Sequence, residues 1–355
     1  MKKYIGLEEM SNVNCSSVLN VIRNCGIVSR KQISDITGLS WGGMTKIVNK
    51  LFAHGYIVEE KDENASGAGR TPSLIRINEK ENVVIGLDLN REGFEAYVMN
   101  LCGDVLKEYS EDISYEGKEK LLCTILEFTK KIVHEYEEKN ILSIGIAMQG
   151  VLDTEKGVSV KFPHCPDWKN VPIKELLEQE YGIDVFVEHD PNCMLYSRLM
   201  EEESENMLLF RLDRSIGMAA SVNGEILRGN GLMEVAHCIV VPDGKGCRCG
   251  KKGCMEAYLA SSLENGKLNE PALQELVDPL AILMYNMARV FHSDTVILTG
   301  KLMKYRAFFE KELLEHFYQY CEKSEVEVKL VEESRLAVEG AALIAVQGAI
   351  DRLQI

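Results

Sequence analysis

The 355-residue chain carries 40 Lys and Arg against 55 Asp and Glu, a net charge of −15, with 46% hydrophobic residues and 11 cysteines. That length supports two or three compact units, each with a sizeable core. No run of eighteen apolar residues exists, the opening MKKYIGLEEM lacks an apolar signal core, and eight of the cysteines are scattered without framework spacing, so no membrane span, secretory leader or disulfide scaffold is expected, and a reducing cytoplasm is.

The charge is uneven along the chain. Residues 1–80 hold eleven Lys and Arg against eight Asp and Glu, which is +3 and leaves −18 for the remainder. A mildly basic head on an acidic body suits a head that approaches a polyanion while the body stays off it. In this head Val18, Leu19, Val21 and Ile22 recur at helical spacing and Gly26 ends the helix. Ser29 caps a second short helix carrying Ile33 and Ile36. After the turn Thr37-Gly38-Leu39, Ser40 caps a third helix whose Met44, Ile47, Val48, Leu51 and Phe52 face inward.

Helix, glycine-containing turn, helix is a helix-turn-helix pattern, whose last helix enters the major groove. Trp41, Thr45, Lys46, Asn49 and Lys50 are then expected on its exposed face, a set able to reach phosphates and bases. The same helical pattern also fits a small packing domain. What separates the two is the next segment, where Tyr56–Glu60 and Leu74–Ile77 alternate as strands around Ser66-Gly67-Ala68-Gly69-Arg70-Thr71-Pro72. That is a wing, and Arg70 at its glycine-rich tip suits a minor groove. Gly42 and Gly43 weaken the start of the third helix, at about 1 kcal/mol each relative to Ala, so its first turn is expected to order on DNA.

From residue 81 on, two segments echo each other. Val83–Leu89, Phe94–Met99 and Val105–Tyr109 form strand, loop, strand, turn, strand, and Met207–Leu212, Ile216–Val222 and Glu225–Leu227 repeat the order. Helices are expected over Lys118–Glu138, Pro191–Glu203, Pro271–His292, Tyr305–Tyr320 and Leu336–Leu353. Duplicated α/β units of this kind predict two lobes enclosing a cleft. After the second of these segments comes Glu234–Glu256, EVAHCIVVPDGKGCRCGKKGCME, with Cys247, Cys249 and Cys254 inside eight residues and His237 ten positions before Cys247. A disulfide would leave one of the three cysteines unpaired, whereas three thiolates and an imidazole close a tetrahedral structural zinc site.

The pattern E-x-x-H followed by G-C-x-C-G-x-x-G-C-x-E, from Glu234 to Glu256, resembles the ROK family of sugar kinases and transcriptional repressors, with Ala236 where a glycine is usual. The resemblance implies an actin-like body for residues 81–355, with a zinc loop at 237–254, behind a winged helix-turn-helix head at 1–80. It implies that Glu234, His237 and Glu256 contact sugar hydroxyls while His237 also ligates zinc. In VEHDPN, Asp190 matches the kinase general base; a helix N-cap beside Pro191 is its other reading. His164 and His189 stand where the family usually has Asn and are expected to reshape the sugar pocket.

The phosphate loops depart from the kinase pattern. Asp88-Leu89-Asn90-Arg91-Glu92 replaces D-x-G-G-T, Asp213-Arg214-Ser215-Ile216-Gly217 replaces G-T-G-x-G, and a late diglycine survives only as Thr299-Gly300. Backbone amides need small residues to approach phosphates, so no ATP turnover is expected. The expectation is a non-enzymatic, sugar-responsive repressor that binds zinc and operator DNA. It is expected to be at least a homo-dimer and to have no membrane partner. The alternatives are an active sugar kinase with a DNA-binding head and a regulator whose body docks another protein.

Overall fold

The computed structural model describes residues 7–61, 73–90, 93–113, 116–163, 165–213, 215–228, 233–264, 267–332, 335–353 and 355. The chain opens with α1 (Leu7–Cys25), β1 (Val28–Ser29), α2 (Arg30–Thr37), α3 (Trp41–Ala53), β2 (Ile57–Lys61) and β3 (Ser73–Ile77). Cys15, Val18, Leu19 and Ile22 of α1 pack with Ile33 of α2 and with Met44, Val48 and Leu51 of α3, all fully buried. Ser29 closes α2 with a capping box, its hydroxyl on the Gln32 amide and the Gln32 side chain on the Ser29 amide. The strands order as β1-β3-β2, antiparallel throughout, so the head is helix-turn-helix plus wing. The wing residues between β2 and β3, Arg70 among them, lie outside the described residues.

One expectation about the head is corrected: Phe52 is exposed, at 54%, and Ile36 of α2 is exposed too, at 58%. Phe52 lies about 80° round α3 from Met44 at about 100° per residue, on the rim of the apolar stripe, and Ile36 sits in the last turn of a helix only eight residues long. α3 is helical from Trp41, and the Ser40 hydroxyl caps its glycine-containing first turn by accepting the Gly43 amide at 3.3 Å.

The body follows with β4 (Asn82–Asn90), β5 (Gly93–Asn100), β6 (Val105–Glu111), α4 (Lys118–Glu135), β7 (Asn140–Met148), β8 (Val151–Asp153), β9 (Val158–Lys161), α5 (Ile173–Tyr181), β10 (Asp184–His189) and α6 (Asp190–Leu199). Then come β11 (Met207–Leu212), β12 (Ile216–Val222), β13 (Glu225–Ile226), α7 (Met255–Ser262), β14 (Leu263–Glu264), β15 (Lys267–Leu268), α8 (Glu270–Phe291), β16 (Thr295–Thr299), α9 (Glu310–Phe317), β17 (Glu327–Leu330) and α10 (Leu336–Asp351). The expected helix over 305–320 is two pieces instead, a 3₁₀ segment at Lys301–Phe308 and then α9. The duplication is evident in the sheets. One orders β10-β7-β4-β5-β6 and the other β13-β12-β11-β16-β17, each with an antiparallel triple continued by parallel pairing.

Two compact units result. One comprises Met1–Met148, Thr154–Val187 and Ala341–Ile355; the other comprises Gln149–Asp153 and Glu188–Gly340. In the first, β4 is buried along almost its whole length, as a central strand covered on both faces must be. Its head is joined to the body by polar contacts: Ser16 donates to the Ile350 carbonyl at 2.6 Å, and the Gly55 carbonyl accepts from Asn78 and Asn82 at 3.0 and 2.8 Å. The core of the second runs from Leu208, Phe210 and Leu212 through Met255 and Leu259 to Leu276, Leu280 and Leu298.

Candidate functional site

On α3, Trp41, Lys46 and Asn49 are exposed, as a groove-reading face requires. Thr45 and Lys50 are only half-buried positions, and the Thr45 hydroxyl is buried; the residue sits on the flank of the apolar stripe, and its hydroxyl does not face solvent as expected. Asn49 accepts from Arg30 at 3.2 Å, and Arg30 also pairs with Glu59 on β2. Helix and wing are thereby cross-braced through one guanidinium.

The cysteine stretch folds into a compact knot in the second unit. His237 closes a 3₁₀ turn at Val235–His237, and Cys254 directly precedes α7. Between them the chain doubles back through the bridges Ile239 with Cys254 and Gly246 with Lys252. Gly253 makes this possible: its φ is +77°, and a Cβ there would lie 1.7 Å from the Val241 carbonyl oxygen. The donor atoms of His237, Cys247, Cys249 and Cys254 all lie within 4.8 Å of one another. Cys247 Sγ is 3.7 Å from His237 Nδ1, and Cys249 Sγ is 3.7 Å from Cys254 Sγ. A tetrahedron with bonds of about 2.3 Å has edges of about 3.8 Å, so the donor set fits zinc in both chemistry and spacing. The Lys251 backbone amide draws the Cys249 thiol below its ordinary pKa, while burial pushes Cys254 up to about 11.

Beside the knot, the carboxylates expected to meet a ligand take different positions. Glu256, in the first turn of α7, is 3% exposed; it accepts the Ser215 hydroxyl at 2.7 Å and pairs with Arg248 at 2.5 Å. Asp190 is the first residue of α6, and His189 occupies the cap position, so the N-cap reading of Asp190 is corrected. Its carboxyl is buried and contacts Arg211, whose Nε lies 3.0 Å from Asp213. Burial drives the Asp190 pKa up, and Arg211 opposes this. His189 is buried with an unpartnered Nδ1, and burial pushes its pKa down, so it is neutral at physiological pH. Glu234 is exposed. His164 lies outside the described residues.

The family model described as ROK matches residues 84–348. The chain belongs to the ROK family. Among curated relatives, the xylose repressor of Caldicellulosiruptor bescii is 25% identical, with 86% of this chain and 87% of that protein covered. The DNA-binding transcriptional repressor Mlc of Escherichia coli K12 is 26% identical, over 74% of this chain and 67% of Mlc. The N-acetylglucosamine repressor of Escherichia coli O6:H1 is 26% identical, over 73% and 66%. A crystal structure titled as a ROK family transcriptional regulator, a homologue of E. coli MLC, superposes with TM-score 0.82 at 21% identity, covering 96% of this chain and 97% of that one. The ROK hexokinase of Thermus thermophilus superposes with TM-score 0.64 at 23% identity, covering 74% and 97%. Repressors and kinases thus share this fold.

In this ROK chain the described residues of the segments that depart from the kinase loop pattern are packed against neighbouring segments of the chain. Asp213 accepts the Lys301 amide at 2.8 Å, and a Cβ on Gly300, whose φ is +100°, would lie 2.8 Å from backbone atoms of Leu212. Asp88 is buried at the end of β4 and accepts from Asn90 at 3.0 Å; Arg91, Glu92 and Arg214 lie outside the described residues. Sequence reasoning missed three partners of the carboxylates expected to meet a ligand, Arg211, Arg248 and Ser215. It also missed a further pair nearby in sequence, the buried Glu188 and Arg228 at 2.5 Å. Glu188 also accepts the His189 amide and the Asn192 side chain, both at 2.9 Å. No periodicity marks these partners, since each lies 8 to 41 residues from its carboxylate.

Proposed function

We propose that this ROK protein is a transcriptional repressor whose operator affinity responds to a sugar. The observation that carries this reading is the winged helix-turn-helix head on a ROK body, in a chain similar to the C. bescii xylose repressor over 86% of its length. Residues 1–80 form the DNA-binding part, with Trp41, Lys46, Asn49, Lys50 and Arg70 as its contacts. Residues 81–355 form the sensing part, active as at least a dimer in the cytoplasm.

Zinc is held by His237, Cys247, Cys249 and Cys254. With four protein ligands it has no open position, so its role is to brace the loop that leads into Glu256. Asp190, Glu256, His237, Glu234, His189 and His164 bind the sugar. Carboxylates and imidazole suit vicinal hydroxyls because each oxygen or nitrogen can meet a neighbouring group, and unmatched buried polar groups reject the wrong epimer.

The body is not an enzyme in this reading. Phosphoryl transfer requires a preorganised phosphate cradle, and here Asp213 and Gly300 are tied to each other's loops. The test is a thermal-shift screen beginning with xylose and N-acetylglucosamine, followed by operator titration with each hit. The expected result is a sugar that binds and lowers operator affinity. A coupled assay with Mg-ATP should show no turnover, and robust turnover abolished by Asp190→Asn would replace this reading with the kinase.

A further inference from the structure

The hairpin made by β11 and β12 stands where ROK kinases carry a phosphate loop. In this protein three of its side chains do something else. Arg211 contacts Asp190 and, through Nε, approaches Asp213 at 3.0 Å; their side chains are 11%, 10% and 21% exposed. Asp213 reaches the Lys301 amide with its other oxygen, Oδ1, at 2.8 Å. Ser215 donates to Glu256 Oε2 at 2.7 Å. Gly217 lets Pro191 approach, since a Cβ there would meet the Pro191 ring at 3.0 Å. One short loop therefore touches both ligand carboxylates and anchors itself to the start of the 3₁₀ segment after β16.

We propose that Arg211 and Ser215 are positioning residues: the former phosphate loop now holds Asp190 and Glu256 as fixed hydrogen-bond acceptors for a sugar with vicinal hydroxyls. This rests on the sugar-binding reading above. Arg211 occupies Asp190 Oδ2 and leaves Oδ1 as the acceptor for a ligand hydroxyl. The pairing opposes the protonation that burial favours at this carboxyl. It also weakens that carboxylate as a base, because a proton taken from the sugar would be placed against a guanidinium. The site thus accepts hydroxyl hydrogen bonds and does not remove hydroxyl protons. Sequence reading took the loss of glycines in this loop as loss of a function; the geometry points to a second one in its place.

Two measurements test this. The first needs no ligand: a thermal-unfolding double-mutant cycle of Arg211→Met, Asp190→Asn and the double variant. The double variant removes both charges together, so it should fold where Arg211→Met is destabilised. The second is calorimetry with xylose and N-acetylglucosamine from pH 5.5 to 8.5. Among the described residues, the charged and titratable groups facing Asp190 are Arg211, Asp213 and His189.

In Arg211→Met the influence that lowers the Asp190 pKa is gone while burial still raises it. The carboxyl is then more protonated at neutral pH, so affinity should fall about 10-fold or more and recover as pH rises. Arg211→Lys should restore the pH profile of the parent protein. Ser215→Ala should weaken binding without that pH dependence. Additive effects in the cycle, or a parental pH profile in Arg211→Met, would overturn the positioning role. Failure of the unaltered protein to bind either sugar or any other of the screened panel would overturn the sugar reading instead, and the cycle alone would then decide whether the loop fixes Asp190.

Discussion

Cys249 shows how a single side chain can carry a structural claim. It is the exposed member of the cluster and lies 3.7 Å from Cys254 Sγ. Cys249→Ser keeps the size but removes a soft ligand, so metal content should fall from about one zinc per chain to nearly none by elemental analysis. A chelator should denature the loop of the unaltered protein and change nothing in the variant. Protein that is fully folded and free of zinc would contradict the assignment.

Glu202 offers a second residue-level test. Lys329, hydrogen-bonded to it and with Arg198 beside it, holds the Glu202 carboxyl below its usual range. A lowered carboxylate pKa contributes stability that is present above the unfolded value near 4.5 and is lost as pH falls through the folded one. Glu202→Gln should therefore lower stability by up to about 1 kcal/mol at neutral pH, and the difference should vanish in acid.

At the scale of elements, α3 is the informative one. Gly42 is helical, and nothing lies within 4 Å of a Cβ placed there. Gly42→Ala should raise the stability of the helix by up to about 1 kcal/mol, seen as a higher unfolding temperature by circular dichroism. If that face meets DNA, the added methyl will change operator affinity as well, which separates a groove-facing turn from an idle one. Lys46 is exposed on the same helix. Lys46→Ala should weaken binding across sequences and reduce the salt slope by about one unit. Losing Asn49 should relax specificity, with about 1–3 kcal/mol at stake. Its bond to Arg30 adds a second consequence, a looser joint between α2, α3 and the wing.

At the scale of the whole molecule, removal of residues 1–80 should abolish operator binding and leave sugar binding. The joint between head and body makes the exact cut important. Asn82 shares the Gly55 carbonyl with Asn78, and Ser16 bonds Ile350 near the end of α10. Truncation exposes those partners, so the isolated body is expected to unfold at a lower temperature than the full chain. For the response itself, a sugar shifts operator affinity only if it binds the DNA-competent and DNA-incompetent states unequally. Glu256→Gln should therefore abolish the sugar response while apo-protein operator affinity is unchanged; a sugar that binds without altering that affinity would reduce the body to a scaffold.

The sequence by itself determined the local features. Ser29 and Ser40 announced two helix starts, the alternation around residues 56–77 announced the wing, and the duplicated strands at 83–109 and 207–227 announced paired sheets. Each signal is carried by neighbours a few residues apart, where period and capping chemistry act directly. The Cys and His spacing was legible for the same reason. What only the tertiary structure decided is which charge meets which. Arg211, Ser215, Arg228 and Arg248 reach the buried carboxylates of Asp190, Glu256 and Glu188 from elsewhere in the sequence, and a buried carboxylate needs a partner wherever the fold can supply one. Likewise Phe52 is apolar but lies on the rim of its helix's apolar stripe, and Ile36 ends a short helix, so the burial of each depends on what the rest of the fold packs against it.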